Sequence, residues 1–144
     1  MSGEASSVRL ARSAHEAIRR EAARSYPHEG CGALIGPAEG EVSETLALTN
    51  EERESPRTRF TVSPRDYLAV EEQADRRGLK LLGFWHSHPD HPPRPSDTDR
   101  SFAWAGLLTL VIAVEEGEPR DITAWDLPGP EQPFRRLALT ISPD

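Results

Sequence analysis

Apolar positions along the chain fall into short alternating runs, compact blocks and stretches of helical spacing, with turn residues between them. Val8 to Leu10 reads as a short strand. Ser13 and Glu16 have the spacing of a capping box. Ala14, Ile18 and Ala22 then recur every fourth residue and predict a helix to about Ser25, which Pro27 stops. Cys31 to Ile35 is a compact apolar block closed by Gly36-Pro37, a buried strand. Glu39-Gly40 reads as a hairpin turn, and Val42 to Leu48 as the partner strand. Asn50 to Arg59 is polar and charged, a loop. Phe60 to Val62 resumes a short strand.

Ser63-Pro64 has the form of an N-cap followed by proline at the first helical position, and Gly78 closes that helix after Arg77. Leu79 to His88 is apolar until it reaches two histidines, and reads as a strand. Pro89 to Pro95 is a stiff, proline-rich loop. Ser96 caps a third helix ending near Gly106, with Asp99 at its N3 position. Leu107 to Val114 is a continuous apolar run, the mark of a central strand. Glu115 to Pro119 turns the chain, and Ile122 to Leu127 and Phe134 to Ile141 are two further strands. The order β-α-β-β-β-α-β-α-β-β-β predicts an α+β domain, a mixed central sheet flanked by helices. Residues 1–144 read as a single domain, without internal repeats.

Composition narrows the function. The chain has 144 residues and a formal net charge of −7, and such an acidic surface repels nucleic-acid phosphates. Its single cysteine, Cys31, excludes an intrachain disulfide. Met1 to Ser7 is small and polar, and the run Leu107 to Val114 is too short to span a bilayer. No membrane role and a cytoplasmic location are therefore the expectation.

The chemistry lies in His86-Ser87-His88, seven intervening residues, then Ser96-Asp97-Thr98-Asp99. Alternate residues of a strand share a face, so both imidazoles can reach one ion while Ser87 points away. Asp99, fixed in a helix's first turn, supplies a third ligand. Three ligands leave one zinc position open to water, the arrangement of a catalytic site. Hydrolysis also needs a base. Glu29, in His28-Glu29-Gly30-Cys31-Gly32, is the best candidate, with glycines expected to let the backbone pass close to the metal. Ser96 can cap its helix and donate to an oxyanion.

This pattern resembles the JAMM/MPN metalloprotease family: an upstream glutamate, then His-x-His, seven residues, Ser, two residues, Asp. Glu29 falls on the family's glutamate, His86, His88 and Asp99 on its zinc ligands, and Ser96 on its serine. Gly83-Phe84-Trp85-His86-Ser87-His88-Pro89 is similar to the small prokaryotic members, and the likeness runs from about Arg9 to Ile141. The resemblance implies a cytidine-deaminase-like α/β/α fold and one Zn2+ per chain. It also implies cleavage of peptide or isopeptide bonds at the C-terminus of ubiquitin-like proteins. The short chain leaves little room for the insertions of deubiquitinating members, so a sulfur-carrier protein with a Gly-Gly tail is the expected partner. Its tail would pair with a sheet edge near the site. The fold commonly dimerises through helices, which leaves a homodimer open.

Plainer readings stand beside these. Asp97 reads as a solvated first-turn acid and Asp90 and His91 as solvated loop residues, with His91 a ligand only if it replaced Asp99; His28 is solvated or rims the site. Cys31 reads as a small buried hydrophobe, since no low-pKa setting is evident, and Trp85 as core. Of Phe102 and Trp104, one packs inward and the other rims the groove. Arg53, Arg57 and Arg59 are a solvated loop, or else they steer an acidic partner. An inactive scaffold domain and a zinc amidohydrolase acting on a small molecule are the rival functions. A zinc deaminase lacks its cysteine ligands here.

Overall fold

The computed structural model describes residues 7–50, 63–95, 106–129 and 132–143. The elements are β1 (Ser7–Ala11), α1 (Arg12–Ser25), β2 (Cys31–Gly36), β3 (Glu41–Val42), β4 (Glu44–Leu48) and α2 (Pro64–Arg76). They continue with β5 (Lys80–Pro89), β6 (Leu108–Glu115), β7 (Glu118–Asp126) and β8 (Arg135–Ser142). The strand expected at Phe60–Val62 and the helix expected from Ser96 lie outside the described residues.

The eight described strands join one mixed sheet in the order β3-β1-β8-β7-β6-β5-β2-β4. β1 runs parallel to β3 and β8, and β5 parallel to β6, while the other pairs are antiparallel. The segment expected as one strand from Val42 to Leu48 breaks at Ser43. β3 pairs with β1 at one edge and β4 with β2 at the other. Ser43 N donates to Ile35 O at 3.0 Å and fixes the kink. Because one residue links opposite edges, the sheet has to curl until those edges meet.

The helices cover opposite faces. Ala14, Ile18 and Ala22 of α1 are buried with Leu34, Trp85, Leu110 and Ile112. Val70 of α2 packs with Ala33 and Phe84, and Tyr67 lies 5.6 Å from the Phe84 ring centroid. The Ser63 hydroxyl accepts from Asp66 N at 3.1 Å, the cap that its sequence foretells, and Gly78 beyond the C-terminus has φ +71.

The start of α1 differs from expectation. Its N-cap is Ala11, with no side-chain cap, and Ser13 falls inside the helix. β1 feeds directly into α1, so a strand residue occupies the cap position. The β6–β7 turn is also tighter than Glu115–Pro119. Glu116 and Gly117 have φ 50 and 85, the backbone of a type I′ hairpin. Among the described residues, no helix is long and apolar enough to cross a membrane.

Candidate functional site

β5 carries the two histidines at its C-terminal end, between β2 and the parallel β6. The pairings Cys31↔His86, His86↔Val111 and Val111↔Thr123 make one row across four strands. Side chains in such a row share a face, here the α2 face. His86 and His88 are 1% and 6% exposed. Their Nε2 atoms are 3.2 Å apart and their ring centroids 5.0 Å.

His88 Nδ1 lies 2.9 Å from Pro92 O. A carbonyl oxygen only accepts, so Nδ1 carries the proton and the lone pair of His88 sits on Nε2. That lone pair faces His86 Nε2. Such a contact is held by one shared proton or by a cation that takes both lone pairs. Two imidazole nitrogens on a tetrahedral zinc are about 3.3 Å apart. The observed separation therefore fits the ion without rearrangement, and the bond from His88 to a backbone carbonyl is the outer-shell partner such ligands use.

Glu29 is 3% exposed and lies two residues before the start of β2. Continuing the β2–β5 register past Cys31↔His86 places Glu29 opposite His88, on the histidine face. Ser87 N donates to Gly30 O at 3.0 Å, and Gly30 N donates to Ser87 Oγ at 2.8 Å. Asn50 Nδ2 donates to Glu29 O at 3.0 Å. The backbone of Glu29 is thus tied to the histidine strand and to the end of β4. A carboxyl buried this deeply is expensive unless donors or a positive charge face it, and the imidazole pair and any ion they hold lie on its side of the sheet.

The structure therefore brings His86 and His88 together, and the strand register puts the buried Glu29 on their face of the sheet. Ser96 and Asp99 lie outside the described residues, as do Asp97, Phe102, Trp104 and the three loop arginines. Among the described residues no three His, Cys, Asp or Glu side chains form a metal-binding group.

Two of the plainer expectations hold and two change. Cys31 is buried and Trp85 is core, its Nε1 donating to Thr45 Oγ1 at 3.1 Å. The glycines do not serve the histidine face. A Cβ on Gly30 would meet Ser25 Oγ at 2.8 Å and one on Gly32 would meet Trp85 Nε1 at 2.2 Å, so both make room on the α1 side. Asp90 is exposed but is more than a solvated acid. Its carboxylate accepts from Tyr26 OH at 2.6 Å and from Glu116 N at 2.8 Å, and its own N donates to Val114 O at 2.6 Å. Asp90 also has φ 58, which aspartate tolerates better than most residues. Thr123, which the sequence reading passed over, fastens the same proline loop through Pro93 O.

A family model described as prokaryotic homologues of the JAB domain matches residues 11–128. The chain belongs to that family. The mixed sheet with helices on both faces is accordingly the JAB/MPN fold. This JAB-family chain is 30% identical over 141 residues to a desampylase of Haloferax volcanii, covering 94% of this chain and 97% of that one. It is 36% identical over 84 residues to a probable TtuB-protein conjugate cleaving protease of Thermus thermophilus, covering 58% of this chain and 55% of the relative. A solution structure of a Desulfitobacterium hafniense protein matches with a TM-score of 0.80 at 26% identity, over 95% of this chain and 94% of that one.

Proposed function

We propose that this JAB-family chain is a cytoplasmic zinc metallopeptidase. It hydrolyses a peptide or isopeptide bond at the C-terminus of a ubiquitin-like or sulfur-carrier protein. One observation carries the reading: two buried imidazoles present Nε2 atoms 3.2 Å apart, on the face that a buried glutamate shares. The names of a desampylase and of a TtuB-conjugate cleaving protease among its relatives support the substrate class.

His86, His88 and Asp99 would hold the ion. Asp99 is assigned from its place in the motif. Zinc held there would supply Lewis acidity, making the scissile carbonyl more electrophilic and the attacking water more acidic. Glu29 takes the proton as the water oxygen bonds to the carbonyl carbon. It returns a proton to the leaving nitrogen as the C–N bond breaks. Ser96 donates its hydroxyl to the developing oxyanion. Pro92 O holds the His88 ring in the tautomer that leaves Nε2 for the metal. A Gly-Gly tail offers little but backbone, so recognition falls to pairing with a sheet edge.

Zinc stoichiometry and cleavage measured on the same proteins test this. Wild type binds one ion. His86→Ala and Asp99→Ala lose it, and Glu29→Gln keeps it while losing about 10²–10⁴-fold in rate. Full activity in Glu29→Gln, or zinc retained by the ligand variants, contradicts the assignment.

A further inference from the structure

We propose that Thr123 is a positioning residue for the metal site and sets the tautomer of His88 through the proline loop. The inference rests on the metal reading above. Thr123 stands on β7, in the same row as His86 but two strands away, and is 6% exposed. A hydroxyl buried on the face of a sheet is costly unless both its proton and its oxygen are used. Here Thr123 Oγ1 donates to Pro93 O at 2.5 Å and accepts from Trp125 Nε1 at 2.8 Å. Its distance to Val111 O, 3.5 Å, makes that the weaker acceptor.

The contact reaches across β6 and pulls the loop after β5 down over the sheet. Pro93 O belongs to the residue next to Pro92, whose own carbonyl accepts from His88 Nδ1 at 2.9 Å. At the loop's other end Asp90 is fixed by Tyr26, Glu116 and Val114. The acceptor for His88 is thus held from both sides: Arg94 N also donates to Pro92 O at 2.8 Å within the loop, and Thr123 ties the Pro93 side to the sheet. Without that hydroxyl the Pro92–Pro93 segment can swing. The Nδ1 proton of His88 then has no fixed acceptor, and Nε2 is no longer reserved for a metal.

The test titrates the metal-free full chain with zinc against a chromophoric chelator. Wild type, Thr123→Val and Thr123→Ser are compared, with the thermal midpoint of each metal-free protein measured alongside. Thr123→Val keeps the shape and removes the donor. It should weaken zinc binding about tenfold, and Thr123→Ser should restore it. A Thr123→Val protein that melts lower yet binds zinc like wild type marks a merely structural hydroxyl and overturns the proposal. Wild type that takes up no zinc overturns the metal reading itself, so the two failures are distinct. Should Thr123→Val not fold, long-range ¹H–¹⁵N spectra of metal-free wild type decide. The Nδ1–H tautomer of His88 supports the proposal and the Nε2–H tautomer overturns it.

Discussion

Ser87 and Gly30 exchange two hydrogen bonds, Ser87 N to Gly30 O at 3.0 Å and Gly30 N to Ser87 Oγ at 2.8 Å. The side chain between the two histidines thereby supplies the acceptor for the last rung of the β2–β5 ladder. Glu29 follows directly beyond that rung, so the spacing between the proposed base and the imidazoles depends on Ser87.

Ser87→Ala leaves Gly30 N buried without that acceptor. The expected loss of stability is about 1–3 kcal/mol, read from urea unfolding. Because Glu29 is then less well placed, kcat should fall more than KM changes, with zinc content unaltered. Unchanged stability and unchanged kcat would mean the backbone rung holds this register alone.

Gly83→Ala attacks the same strand from the other side. A Cβ there would sit 2.0 Å from Leu108 O, inside the β5–β6 pairing. Backbone cannot yield as a flexible side chain can, so the strand that bears the histidines must move. The expected loss is about 3 kcal/mol or more, seen as a low thermal midpoint or as insoluble protein. A wild-type melting curve would show that the two strands have slack.

His15 makes stability depend on pH. Burial on α1, reinforced by the charge of Arg19, holds its imidazole below the ordinary 6.5. At pH above 6.5 it is neutral in both the folded and the unfolded chain, and its contribution is fully present. As pH falls from 6.5 through the lower folded value, the unfolded chain takes the proton first and stability is lost. Thermal midpoints should therefore drop as pH falls below 6.5 and through the lower folded value. His15→Gln should flatten part of that slope, and an identical slope in the variant would remove His15 as its source.

Much of this was legible because the local signals were strong. Ser63-Pro64 and Gly78 bound α2 as their chemistry dictates, and Ala14, Ile18 and Ala22 mark the buried stripe of α1. His86 and His88, two apart at the end of an apolar run, share a face by strand geometry alone. Other features have no local signature. β7 starts at Glu118, within a polar stretch, because pairing with β6 recruits it. Its turn puts Glu116 at positive φ, where asparagine or glycine would have announced the hairpin. The break at Ser43 shows only in the pairing of β3 and β4 with strands at opposite edges of the sheet. Asp90 and Thr123 take their roles from partners far away in sequence, Tyr26 and Pro93, which no periodicity reveals. The glycines around Cys31 are conspicuous in sequence, but only packing shows that they serve Ser25 and Trp85.

The central claim is metal-dependent hydrolysis behind a Gly-Gly tail. Its most direct test is intact-mass measurement of sulfur-carrier proteins bearing C-terminal extensions or lysine conjugates. Each is incubated with the zinc-loaded chain, with and without a chelator. The account predicts a product ending at the Gly-Gly carboxylate, absent with chelator and restored by added zinc. No mass change with any extension or conjugate, or cleavage that chelation leaves untouched, would contradict it.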